Sequence, residues 1–218
     1  FVELESSTGK FGSISLKGFL AGALTKVSKS LINNSDFNIT SFVVSHMAES
    51  ISRWVEGQLL KGAVGKVDGM LKGITQTVTA KTATKVDTDE LIQLQDSVPD
   101  TYQADACWIM SRATRTALRQ LKDNEGRYLL NPDATTKWGY TLFGKPVYVS
   151  ENMDEVATGK TPIIYGDLSG LAVKLSESME IQVLREKFAT QHALGVVAWM
   201  EFDAKVENAQ KLAKLTMK

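Results

Sequence analysis

The chain has 218 residues, of which 43% are hydrophobic, and its 25 Lys+Arg balance 25 Asp+Glu for a formal net charge of zero. A chain of this length buries a sizeable core as one domain or two small ones. Zero net charge excludes a global field that would draw it to nucleic acid or to an acidic membrane, although local patches remain open. The single Cys107 excludes a disulfide framework and suits a buried, inert thiol in a reducing cytoplasm. No apolar run approaches the roughly 20 residues of a membrane span, and no signal-peptide pattern is present. The first residue is Phe1 rather than Met, which points to a truncated or processed chain.

In chain order, "FVELE" (1–5) alternates like a half-exposed strand and "SSTGKFGS" (6–13) reads as a turn. A strand to Val27 and a helical turn around Lys29–Ile32 follow, broken by Asn33, Asn34, Ser35 and Asp36. Residues 38–62 predict the clearest element, a one-faced helix about 35 Å long at 1.5 Å per residue. Val43, Val44, Met47, Ile51, Trp54 and Val55 share its apolar arc, with Ser41, Ser45, Glu49, Ser52, Arg53 and Glu56 opposite. Asn38 is its expected N-cap, Glu49 and Arg53 an i,i+4 pair, and Gly62 its C′ residue. Trp54 is expected to bury the helix against a sheet.

"GAVGKVDGMLKG" (62–73) holds four glycines, but Gly65-Lys66 is followed by Val67, and a helix precedes it. A Walker phosphate loop needs Ser or Thr there and a strand before it, so a turn-rich connection fits better. An extended Thr-rich stretch (75–86) leads to a helix capped by Asp87 with Glu90 three residues on, ended by Pro99. "ACWIM" predicts a buried strand. Ser111 then caps a helix in which Arg112, Arg115, Arg119 and Lys122 share one face, with Ala117, Leu118 and Leu121 opposite. That stripe is either a phosphate-binding face or a solvated, subunit-facing edge; zero net charge favours the edge. "DNEGRY" reads as a turn and "RYLL" as strand. Short strands are expected at 144–150, 162–169, 171–176 and 179–186, and a long one at 193–206, before the closing "ENAQKLAKLTMK". Strands and helices mix without strict alternation, so the expected fold class is α+β.

No catalytic, cofactor-binding or metal residue is assigned, and no cofactor is expected. His46 and His192 are the only histidines, and HExxH spacing is absent. There is no GxSxG elbow and no kinase signature. Asp167 in "YGDLS" reads as a turn-former rather than a strand-end carboxylate. A triad built from His192 with distant Ser and Asp has no motif to support it. The chain is not expected to be an enzyme.

Taken in order, these pieces resemble one family, the major capsid proteins of tailed bacteriophages with the Hong Kong 97 fold. "LTKVSKSLINNSDFNITSFVVSHMAESISRWVEGQLLKG" is similar to the family's strand ending in Val-Ser, short helix, Ser/Asp-rich break, long spine helix and closing Gly. "DTDELIQLQDSVPDTYQADACWIMSRATRTALRQLKDNEGRYLLNP" resembles its two-turn helix, Trp-bearing strand, helix and Gly-Arg-Tyr turn. "LFGKPVYVSENM" and "IIYGDLSGLAVKL" resemble its later strands, with Leu168 where the family often has Phe.

The resemblance implies a peripheral (P) domain with a spine helix and long strands, and an axial (A) domain of mixed sheet flanked by helices. Residues 1–13 then match the returning strand of an extended loop, 14–62 and 179–206 the P domain, and 63–178 with 207–218 the A domain. It implies a structural subunit of a phage or prophage capsid, self-assembling into hexamers and pentamers around a genome held non-specifically. The implied partners are copies of itself and scaffolding, portal or decoration proteins, with no membrane; the implied place is the virion, assembled in host cytoplasm. Some members cross-link a loop Lys to a P-domain Asn, and no such residue carries over. Without an arm and an outgoing loop strand, the 218 residues alone are not expected to close shells. An encapsulin-like nanocompartment shell is the alternative within the fold, and a cytoplasmic ligand-binding or hydrolytic domain the alternative outside it.

Overall fold

The computed structural model describes residues 13–36, 38–63, 65–122, 126, 128, 131–132 and 140–218. The strand expected at 1–5, most of the turn at 6–13 and the "RYLL" strand lie largely outside the described residues. Described are helices α1 (Lys29–Asn33), α2 (Ile39–Leu60), α3 (Met70–Gly73), α4 (Thr88–Asp96) and α5 (Arg112–Arg119). The strands are β1 (Phe19–Ser28), β2 (Gln76–Thr79), β3 (Cys107–Met110), β4 (Asn131–Pro132) and β5 (Tyr140–Leu142). After them come β6 (Lys145–Val149), β7 (Ile163–Gly166), β8 (Leu171–Leu184), β9 (Ala193–Val206) and β10 (Leu212–Thr216). Strands and helices mix in an α+β arrangement built on two sheets.

The first sheet is β1-β9-β8, antiparallel throughout, and α2 lies across it. Asn38 starts α2 by accepting from the Ser41 amide at 3.1 Å, which satisfies one of the orphan donors of the first turn. Gly62 follows the helix with φ +73°. A Cβ on Gly62 would lie 2.3 Å from the Gly69 amide nitrogen, and one on Gly69 would lie 2.2 Å from that of Gly62. The glycines of this loop therefore let two backbones touch, which answers the phosphate-loop question in favour of a turn.

Met47 buries α2 with Val43, Val44 and Ile51 against Val196, Ala198, Ile181 and Val183. Val55 and Leu59 continue the seam onto Phe202, Ala204 and Val67. Trp54 is not the anchor expected of it. It stays 46% exposed at the helix edge, with its ring edge-on to Phe202 at 6.0 Å. Strand β8 also differs from expectation. Residues 171–176 and 179–186 do not form two strands; one strand runs from Leu171 to Leu184, with register shifts between Leu175, Glu177 and Glu180. The bulges interrupt the alternation that the sequence would show in a regular strand.

The second sheet is mixed, in the order β2-β10-β7-β3-β6-β5-β4, with β2–β10 and β3–β6 parallel. Its centre, β3, is buried at all four positions and feeds alternate side chains to two cores. Trp108 and Met110 join Leu91, Leu94, Val98, Leu118 and Tyr165 on one side. Cys107 and Ile109 join Met70, Ile74, Ile164 and Leu212 on the other, where Leu60 at the end of α2 also packs. That residue ties the long helix to the second sheet.

Trp108 sits 4.3 Å from the Tyr165 ring centroid, and its indole N–H donates to the Leu142 carbonyl at 3.0 Å. Its one polar atom is thereby satisfied in a fully buried site. Asp87 and Glu90 form the expected capping box of α4, and buried Glu90 also accepts the Lys81 amide at 2.6 Å. Ser111 caps α5 by accepting the Thr114 amide at 3.2 Å. Thr114 and Leu118 are the buried positions of α5, whereas Ala117 is exposed.

Candidate interaction surfaces

The residues that sequence reasoning weighed for chemistry stand apart. His46 lies exposed on α2 with its ring against Phe42 at 6.1 Å, and His192 ends the turn between β8 and β9 with φ +49°. Asp167 caps a 3-10 turn, accepting from the Ser169 amide at 2.9 Å and pairing with Lys211 at 3.1 Å. Burial works to raise its pKa, but the Ser169 and Lys211 contacts outweigh it and hold the carboxyl below its ordinary value. Burial, with a smaller contribution from the Asp167 charge, pushes the Cys107 thiol up to about 11. That leaves it protonated and a poor nucleophile at neutral pH. Among the described residues no group of three or more His, Cys, Asp or Glu side chains is placed to hold a metal ion, and no helix is long and apolar enough to cross a membrane.

The basic stripe on α5 is spread over aromatic rings. Arg115 and Arg119 both lie over Tyr140, at 4.8 and 5.1 Å, and Lys122 lies over Tyr128 at 4.8 Å. Arg112 reaches Glu151 at 3.7 Å between exposed side chains, a pair worth little in water. Two stacked guanidinium groups on one tyrosine make a packed edge. They do not make an open phosphate cradle.

A trough of about 790 Å³ lies between α2 and β1. Phe19, Phe42, Met47, Trp54, Met200 and Phe202 are among the residues of its apolar wall. His46, Ser50, Gln58 and Lys66 touch it without converging into an acid–base pair. Its wall β1 is an edge strand that α2 leaves uncovered, with Leu20 61% and Leu24 49% exposed. Among the described residues no strand pairs with the outer edge of β1, and an exposed apolar edge strand is a docking template.

Sequence reasoning missed this surface. "FLAGALTKVS" and "ALGVVAWMEFDAKV" read as strands, and a strand reading alone does not say which face is bare. A signal was present in "AWMEFDA". There Trp199, Glu201 and Asp203 alternate with Ala198, Met200, Phe202 and Ala204, and the second set faces the core.

The arrangement offers edges and a trough, and comparison with known proteins agrees with that character. No curated protein sequence matches the chain. The capsid of a native GTA particle is similar in fold, with a TM-score of 0.81 at 21% identity over 94% of this chain and 74% of that one. A structure from Mycobacterium phage Adephagia gives 0.70 at 11% identity over 93% and 73%. The holo-SrpI encapsulin complex from Synechococcus elongatus gives 0.68 at 13% identity over 92% and 73%. These likenesses establish the Hong Kong 97-like capsid fold. The model of the phage capsid family matches residues 3–217, nearly every position, and the chain belongs to that family.

Proposed function

We propose that this chain is a tile of an icosahedral phage or prophage shell, assembling into hexamers and pentamers of itself and enclosing DNA without reading its sequence. The observation that carries the reading is the family match along residues 3–217, joined to a molecule whose bare apolar surface is a strand edge and its trough. A shell subunit works through complementary surfaces, and symmetry multiplies each modest contact. Obligate interfaces of this kind bury about 2,000 Å² or more and are partly apolar, which the β1 surface suits.

In this reading α2 is the spine of the peripheral domain, formed by 14–62 and 179–206. The seven-stranded sheet belongs to the axial domain, 63–178 and 207–218. Strand β8 crosses from one to the other. Scaffolding, portal and decoration proteins would meet the assembled shell, which forms in the host cytoplasm and ends in the virion. The chain's work is binding between copies, not catalysis.

The test is negative-stain electron microscopy with sedimentation velocity on the purified chain across a concentration series. Rings of five and six copies support the reading; a monomer at every concentration overturns it. The encapsulin likeness favours a second reading, a nanocompartment shell. The contents separate the two: nucleic acid inside particles assembled in cells supports the phage shell, and a protein cargo supports the nanocompartment.

A further inference from the structure

The sheet face turned away from α2 carries charges that a lone subunit does not need. Glu177 on β8 lies directly opposite Glu201 on β9, at a register shift, and Glu180 lies opposite Trp199. Like charges facing each other across strands are destabilising. Among the described residues none of the three glutamates forms an ion pair. Lys174 stands on the same face opposite Asp203, whose buried carboxylate accepts the Lys17 amide at 2.7 Å and its neighbour's amide at 2.8 Å.

The other end of that face is basic. Lys26 stands opposite Gly195, its ammonium 4.6 Å from the Phe188 ring centroid and donating to Gln191 at 3.2 Å. The turn after β8 adds exposed Arg185 and Lys187, against the single carboxylate of Glu186. Leu20 stands beside Glu201 at the acidic end, and Trp199 and Leu24 lie between the two ends, at 61%, 45% and 49% exposure respectively.

The acidic and basic ends cannot neutralise each other within one molecule. Six residues of β9 separate position 195 from 201, which at about 3.4 Å per residue is roughly 20 Å. That is more than twice the Debye length of about 8 Å at physiological ionic strength. Complementary ends on one face, joined by exposed apolar side chains, fit another molecule with the same face.

We propose that this face binds a second copy of the chain, with the Arg185–Lys187 turn of one copy seated on Glu177, Glu180 and Glu201 of the next, and Leu20, Leu24 and Trp199 buried between them. Because both copies use the same face, the contact is isologous and two-fold, each copy giving its basic turn to the other's acidic end, and it joins subunits in pairs. It rests on the shell-subunit reading and specifies which surface two subunits share.

Sedimentation velocity on two charge-reversed variants, Glu177→Lys with Glu201→Lys and Arg185→Glu with Lys187→Glu, tests it. Each variant should weaken association at least tenfold, and an equimolar mixture should restore it, because each then offers the sign the other lacks. Melting by circular dichroism checks that each variant folds. If a reversal prevents folding, Glu177→Gln with Glu201→Gln serves instead and should remove most of the salt dependence of association. Variants that associate like the wild type, or a mixture that fails to recover, overturn the proposal and leave the shell reading standing. A wild-type chain that stays monomeric at every concentration removes both.

Discussion

Trp199 lies over Gly22 on the neighbouring strand, so closely that a Cβ at position 22 would sit 2.4 Å from the indole ring. The glycine is a bed for the ring, and its φ is not in the left-handed region. Gly22→Val should lift the ring, costing about 1–3 kcal/mol as an overpacking change. A lowered melting temperature and a red-shifted tryptophan emission would both register it; unchanged values would mean the ring has another place to lie.

The seam under α2 ranks its own residues. Met47 is 5% exposed and Trp54 46%. Met47→Ala should cost about 2–5 kcal/mol, and Met47→Asp should prevent soluble folding. Trp54→Asp should still give a folded chain, since the ring's outer half already faces water. Urea denaturation of the variants would rank them, and the reverse order would mean that Trp54 anchors the helix.

Glu90 is a buried carboxylate serving two amides, those of Lys81 and Asp87, at 2.6 and 3.0 Å. Glu90→Ala strands both donors and should cost about 1–3 kcal/mol. Hydrogen exchange should quicken at those two amides before it does elsewhere, so uniform quickening would count against a local role.

Asp167 gives a pH prediction with a definite sign. Its folded pKa is held below the ordinary 3.8, so its contribution to stability is present above that value and lost as pH falls through the lower folded one. Asp167→Asn should flatten the stability profile in that acid range. Parallel thermal melts from pH 6 down to pH 2 would show it; identical slopes would mean that Asp167 and Lys211 do not couple.

Much of this architecture was legible in the residues. The long helix announced itself through the spacing of Val43, Val44, Met47 and Ile51 and through Asn38. The capping box was written as Asp87 and Glu90, and the buried strand as an apolar run around Trp108. These are local signals, read over one or two turns. What stayed hidden depends on partners distant in sequence. The exposure of Trp54 follows from how α2 crosses β9, and no helical period contains that angle. Likewise Glu177 meets Glu201 only because two bulges shift the register of β8, and the bareness of β1 only because it ends a sheet whose order the sequence does not spell out. The surfaces proposed to join copies fall in this second class, which is why motif searching met silence.

The order of strands also sets a timetable. In each sheet a strand made late is inserted between two made earlier: β9 divides β1 from β8, and β10 divides β2 from β7. Until β9 has been made, β1 and β8 have no partner in the first sheet, and until β10 has been made, β2 has none in the second. Strands waiting in this way expose unpaired backbone, so the period before the last strands arrive is when the growing chain is most open to wrong pairing.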